Sequence, residues 1–533
     1  MTLQAKLMEA FERFGPNDAL EVEQTILTYL ELKKKALQLA GLITKHAHEE
    51  PFIGIFAARS ISAYAGLAGS LLAGKAYLPL NPKFPVARIY EMLSMVECKT
   101  LILGGGGIRL FLEFVKKYDH NLPPLTILYL PEDEARIGKE AKKLKRHKLF
   151  TADGVEAFDI CPLPAALPDD YAYLLFTSGS TGHPKGIGIT QKNICSYLGF
   201  ILSRYEYLET DRISQAFDLT FDPSVHDIFS AWLSGACLCV VPASAVFAPS
   251  RFIREKELTV WYSVPSVPMF MERLNMLKEN SFPGLRYSIF SGEALSQETA
   301  LKWQKASPNA LLINFYGPTE VTINITYYQW NNDASPKQCR NGCVPLGVVF
   351  PDHEIRIVDE KGQDLPAGQK GELIISGAQV APNYINNSEK TKKVFKQFPE
   401  DPCKTWYCTG DLVEKDEEGT LFYFGRKDFQ VQILGHRVEL TEVEAVLKKA
   451  TKTDFVIVLP WPPDVSGGRA DKLVAVIGCI QDTEMEKKAV SACRETLPSY
   501  MIPAKIFFLE RFPLNVNGKI DRNEILAYIS HIH

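Results

Sequence analysis

Short apolar runs alternate with amphipathic stretches over the first two-thirds of the chain. The segments at 51–57, 99–105, 125–131 and 171–177 are apolar almost throughout and bounded by turn residues, which predicts buried strands. A strand without polar alternation is covered on both faces, so the predicted fold class is α/β with largely parallel strands. The Ala/Gly/Leu-rich stretch from Tyr64 to Gly74 predicts a buried helix. It ends at Lys75, well short of the roughly 18 apolar residues that span a membrane. No repeat is apparent.

The pattern changes near residue 345. Strand-like runs now alternate with tight turns at 359–362, 366–368 and 370–371, which predicts a small β-rich subdomain. More strand follows to Leu440. Thr441, three residues before Glu444, then fits a capping box opening a helix. The remaining residues read as a small α+β unit. We therefore expect a core of layered α/β subdomains with a β-rich subdomain over residues 1–427, and a mobile lid over 428–533.

Composition alters this picture little. The 533 residues, 46% hydrophobic and 23% charged, fit a globular protein of two or more domains. A net charge of −4 gives no footprint for nucleic acid. The basic run from Lys142 to Lys148 reads as a solvated face, with a partner patch as the alternative. Eleven cysteines lack metal-ligand spacing, and an odd number suits a reducing, cytoplasmic setting. Cys237 and Cys239 share one face of an apolar strand and read as core thiols. The N-terminus lacks a signal-type apolar core, so no membrane insertion is expected.

One loop points to chemistry. After the strand at 171–177 come Thr177, Ser178, Gly179, Ser180, Thr181 and Gly182, then Lys185. Hydroxyls and bare glycine amides make a donor-rich concavity suited to phosphate oxygens, and a lysine adds charge. The Gly-Lys-Ser/Thr order of a Walker A loop is absent. Alone, such a loop is equally an ordinary turn.

It does not stand alone. FTSGSTGHPKG (176–186) resembles the signature loop of adenylate-forming enzymes, the group of acyl-CoA synthetases, peptide-synthetase adenylation domains and luciferases. Further blocks of that family follow in order: LLAGKAYLPLNPKFP (71–85), FDLTFDPSVHDIF (217–229), NFYGPTE (314–320), YCTGDL (407–412), GRKDFQVQILGHRVEL (425–440) and NVNGKIDR (515–522). The wording is similar to the amino-acid-activating branch, in particular stand-alone enzymes such as D-alanine–carrier protein ligases. Only eleven residues follow Arg522, far fewer than the roughly 50 of a small domain, so the carrier is expected to be a separate protein.

The resemblance implies a reaction and its residues. A carboxylate attacks the α-phosphorus of ATP, and a thiol then takes the acyl group from the adenylate. The loop from Thr177 to Gly182 would hold the β- and γ-phosphates, with Lys185 at its edge. Tyr316 would stack on adenine, Asn314 would bind the purine amine, and Gly317 and Gly292-Glu293-Ala294 would run along the nucleotide. Asp411 would take the ribose hydroxyls, with Arg426 beside it. Thr319 and Glu320 would approach Mg²⁺, a hard cation that prefers oxygen. Lys519 would neutralise the substrate carboxylate and the α-phosphate together. Asp428 matches the hinge of the lid, and Gly435 the tunnel for a phosphopantetheine arm.

Asp222 matches the position that pairs with a substrate ammonium; an N-cap aspartate is the structural alternative. The other pocket positions are Pro223, His226, Tyr262, Ile289, Ser291, Phe315, Ile323 and Asn324. Pro223 is unusual in that place. Tyr262, Phe315 and His226 are bulky, which predicts a small amino acid such as glycine or alanine. His226, Ser291 and Asn324 also suit a polar side chain. Two other functions fit the same blocks: an acyl- or aryl-CoA synthetase using coenzyme A, and a non-catalytic binding protein that kept the fold.

Overall fold

The computed structural model describes the chain except residues 141–142, 154–162, 180–182, 247, 400, 429, 463–468, 480–481, 511, 514–519, 521 and 533. Two large sheets form the core. The first has seven strands, ordered Lys148–Thr151, Thr126–Tyr129, Thr100–Gly104, Phe52–Ala57, Ala76–Pro79, Tyr171–Thr177 and Lys185–Thr190. All its pairings are parallel except the last. The apolar runs predict four of these strands, and Phe52–Ala57 is buried at every position, as expected for a strand between two helical layers. Helix Ile61–Leu72, nearly all buried, packs against helix Tyr29–His46 so closely that a Cβ at Gly69 would lie 2.7 Å from Ala36 O.

The second sheet has nine strands with Arg212–Gln215, Cys237–Val240, Val260–Ser263, Tyr287–Phe290 and Leu311–Tyr316 in parallel at its centre. Cys237 and Cys239 are buried in it as core thiols. Helix Pro223–Ser234 leads from one of these strands to the next. Proline at its first position suits helical φ, and Gly235 ends it in the left-handed region at φ +83°. Asp222 precedes it without capping it, so the structural alternative for Asp222 is not realised.

Residues 353–426 form the expected β-rich subdomain, an antiparallel five-stranded sheet. From Gln430 onward, two three-stranded sheets and helices Leu440–Thr451 and Thr483–Thr496 enclose a core of their own around Val443, Leu447, Val458 and Ala475. The predicted capping box is absent. Strand His436–Glu439 runs straight into the helix at Leu440, which puts Thr441 inside the first turn with Oγ1 unpartnered. Glu444 is drawn instead to Val458 N and Arg522. Among the described residues, no helix is long and apolar enough to cross a membrane.

Candidate active site

The carboxyl ends of both core sheets, the β-rich subdomain and the lid hairpin Gln430–Glu439 converge on one cavity of about 1280 Å³. Thr177, Ser178, Asp222, Pro223, Ser291, Gly292, Glu293, Ala294, Phe315, Tyr316, Gly317, Thr319, Ile323, Asp411, Arg426, Asp428 and Gly435 all line it. The sequence blocks, spread over 259 positions, are thus brought to a single place. Ser180, Thr181, Gly182 and Lys519 lie outside the described residues.

One end is polar and cross-braced. Tyr316 donates its hydroxyl to Asp411 Oδ2 at 2.6 Å, and Arg426 Nη1 donates to Asp411 Oδ1 at 2.6 Å. Arg426 also binds Asp428 at 2.7 Å. Burial opposes the charge on Arg426, but Asp411 and Asp428 outweigh it and raise its pKa. Asn314 is buried and spends its amide donor on Pro345 O at 2.9 Å, leaving Oδ1 with no partner. Asn314 does not line the cavity, so this acceptor lies behind the wall. Thr177 Oγ1 is unpartnered as well. At Gly317 any Cβ would stand 2.5 Å from Asn324 Cα, so the turn beneath Tyr316 requires glycine.

At the junction, Glu320 is fully buried behind the lining. Tyr384 donates to its Oε1 at 2.7 Å and Arg437, from the lid, to its Oε2 at 2.8 Å. Burial opposes ionisation, yet Arg437, Lys185 and the Tyr384 hydroxyl hold this carboxyl down at about 2. Lys185 stands at the edge of the loop, as the resemblance implied. It begins strand Lys185–Thr190, is buried, and lies 3.4 Å from Glu439. Burial and the neighbouring Arg437 lower its ammonium to about 8.

The lid grips the phosphate loop directly. Ser178 Oγ donates to Arg437 O at 2.9 Å and accepts from Glu439 N at 3.1 Å. Gly179 N donates to Glu442 Oε2 at 2.9 Å, and Glu442 also pairs with Arg88. Gly435, at φ +81°, sits against Val264, where a Cβ would approach Cγ1 to 2.5 Å. His436 stacks on Tyr500 at 3.9 Å. Arg437, Glu439 and Glu442 lie in or beside a quoted block, but nothing local marks them. Tyr384 lies in GELIISGAQVAPNYIN (371–386), a further block that resembles the family, but nothing in it marks the tyrosine.

The acyl end differs. Asp222 stands at the wall with Oδ2 buried and unpartnered. Burial pushes its carboxyl up to about 7, against the pull of Thr319 and Arg437. Ser291, Phe315, Pro223 and Ile323 complete the lining, whereas His226, Tyr262, Ile289 and Asn324 lie behind it, almost fully buried. These four are not exposed pocket walls: Ile289 is buried core, and the side chains of His226, Tyr262 and Asn324 are joined in one buried hydrogen-bond network.

Comparison with known proteins agrees with this geometry. The sequence profile described as AMP-binding enzyme matches residues 7–385. A D-alanine–D-alanyl carrier protein ligase of Listeria monocytogenes serotype 4b is 32% identical over 527 residues, covering 96% of each chain. Tyrocidine synthase 3 of Brevibacillus parabrevis is 31% identical over 95% of this chain, which corresponds to 7% of that protein. The crystal structure of the Vibrio cholerae adenylation domain AlmE in complex with glycyl-adenosine-5'-phosphate superposes with a TM-score of 0.88 at 31% identity, covering 99% of this chain and 97% of that one. A profile match across most of the chain, joined to relatives that align end to end, identifies the family: this chain belongs to the AMP-binding enzymes.

Proposed function

We propose that this chain is an AMP-forming ligase that activates a small amino acid, glycine in the first place, and passes it to the phosphopantetheine thiol of a separate carrier protein. In the first step a carboxylate oxygen of the amino acid bonds to the α-phosphorus of ATP and pyrophosphate leaves. In the second, the thiol sulfur bonds to the acyl carbon, AMP leaves, and the thiol proton passes to solvent.

The observation that carries this reading is Asp222 Oδ2, a buried carboxylate oxygen without a partner at the wall of the cavity. An ammonium is the group that such an oxygen takes, and the pair would be a charge-assisted hydrogen bond. A fatty or aryl acid offers nothing there. The bulk of Phe315 in the lining and the glycyl-adenylate held by AlmE support glycine.

At the other end, Tyr316 and Asn314 would hold adenine and Asp411 with Arg426 the ribose, while Thr177 would take phosphate, joined by Ser178 and the Gly179 amide once their bonds to Arg437, Glu439 and Glu442 are released. Lys519 would neutralise the two anions as they meet. Of the two residues expected to approach Mg²⁺, Thr319 lines the cavity with a hard oxygen donor, whereas Glu320 lies behind the lining with both oxygens taken by Tyr384 and Arg437, and would reach the ion only after Arg437 withdraws. Bound there, the ion would offset phosphate charge. The lid hairpin presents Gly435 to the cavity, an arrangement that suits entry of a pantetheine arm. Cytoplasmic residence fits the ten described cysteines, all free.

ATP–pyrophosphate exchange against a panel of amino acids and simple carboxylic acids tests the reading. Exchange led by glycine supports it. Exchange only with acids lacking an amino group overturns it in favour of a CoA synthetase, and ATP binding without any exchange would make the chain a binding protein.

A further inference from the structure

Resting on the amino-acid reading above, we propose that Tyr197 determines specificity: from helix Gln191–Arg204, outside the lining, its hydroxyl locks His226 and Asn324 into a floor that admits no side chain.

The floor is a closed hydrogen-bond network. Tyr197 OH lies 2.7 Å from His226 Nδ1, and Tyr207 OH lies 3.3 Å from His226 Nε2. Asn324 Nδ2 donates to Tyr197 OH at 3.2 Å and to Tyr262 OH at 3.1 Å, and Asn324 Oδ1 accepts from Ser291 Oγ at 2.7 Å. Because Asn324 donates to Tyr197, the assignment that satisfies every group has Tyr197 donating to His226 Nδ1. His226 then carries its proton on Nε2, facing Tyr207. Both imidazole nitrogens and both amide hydrogens are used.

Three consequences follow for a ligand. No polar atom of His226 or Asn324 is free to receive a hydroxyl or amide side chain, although both types of residue suggest otherwise. The rings are held upright by contact as well: His226 meets Tyr262 at 5.0 Å between ring centres, and Tyr262 meets Phe217 at 4.8 Å. Tyr197 is the one member that touches both His226 and Asn324 while belonging to an element that contributes nothing to the cavity lining. It sets the position of the floor from behind.

The test compares wild type, Tyr197→Phe and Tyr197→Ala by ATP–pyrophosphate exchange with glycine, alanine and serine. The readout is the ratio of kcat/KM for each larger substrate to that for glycine. Loss of folded enzyme lowers all three values together and leaves these ratios unchanged. Tyr197→Phe keeps the volume but frees a nitrogen of His226 and a hydrogen of Asn324, so the serine-to-glycine ratio should rise about tenfold, while alanine-to-glycine stays within about twofold. Tyr197→Ala lets His226 fall back, and alanine-to-glycine should rise about tenfold or more. Ratios within about twofold of wild type in both variants would overturn the lock and leave the amino-acid reading intact. A wild-type enzyme that exchanges only with acids lacking an amino group would overturn that reading, and the lock with it.

Discussion

The two ends of the cavity handle polar groups in opposite ways. At the end proposed for the nucleotide, Thr177 Oγ1 is left without a partner, Asn314 Oδ1 is unpartnered behind the lining, and Asp411 faces the cavity braced by Tyr316 and Arg426. At the end proposed for the acyl group, Tyr197, His226, Asn324, Tyr262 and Ser291 spend their polar atoms on one another, while Asp222 Oδ2, at the cavity wall, remains open. Unpaired buried groups select a ligand that supplies the missing partner; a satisfied network selects by excluding volume and polarity. On the reading proposed above, one end would bind a large polar molecule and the other would hold one ammonium and nothing beyond it.

Variants should separate the two ends. The largest effect is expected where they meet: Lys519→Ala should slow adenylate formation about a thousandfold. Transfer from preformed adenylate to a carrier thiol should be nearly unchanged, as single-turnover assays of each step would report. Asp222→Ala strikes the acyl end alone, and loss of one partner of a buried charge pair should raise the KM for glycine about a hundredfold. The KM for ATP should not move. Asp411→Asn is the mirror case, raising the KM for ATP about thirtyfold while leaving glycine unaffected. If either variant shifts both constants equally, the ends are not independent.

Acidity sharpens the contrast. With its carboxyl near 7 in the free protein, Asp222 is protonated and neutral below that pH and must lose its proton to pair with an ammonium. The KM for glycine should therefore rise about tenfold per unit as pH falls below 7 and level off above it. Asp222→Asn should abolish that slope, and the KM for ATP should not share it. The smallest effect belongs to Tyr316→Phe, which keeps the ring and deletes one hydrogen bond to Asp411. A threefold rise in the KM for ATP, or about 0.7 kcal/mol, is expected.

The legibility of the chain in its sequence follows the same division. Strands such as Phe52–Ala57 and Tyr171–Thr177 were readable because burial on both faces writes an unbroken apolar run. Tyr316, Asp411 and Asp222 could be singled out because their blocks carry a family signature, and the structure brings all three to one cavity. The capping box at Thr441 was misread because a strand continues into that helix, a tertiary fact that outweighs a four-residue pattern. That Lys185 is buried against Glu439 was not visible, because the partner is 254 positions away. The sealed floor was not visible either. His226 and Asn324 look like polar pocket residues until Tyr197, 29 and 127 positions distant, is found holding both.

The central claim is that Asp222 reads an ammonium. The most direct measurement is ATP–pyrophosphate exchange by the wild-type enzyme with glycine and with acetate, which is the same acid without its amino group. The account predicts that kcat/KM for glycine exceeds that for acetate by about a hundredfold or more, the worth of one buried charge pair. Equal rates with the two acids, or a preference for acetate, would contradict it.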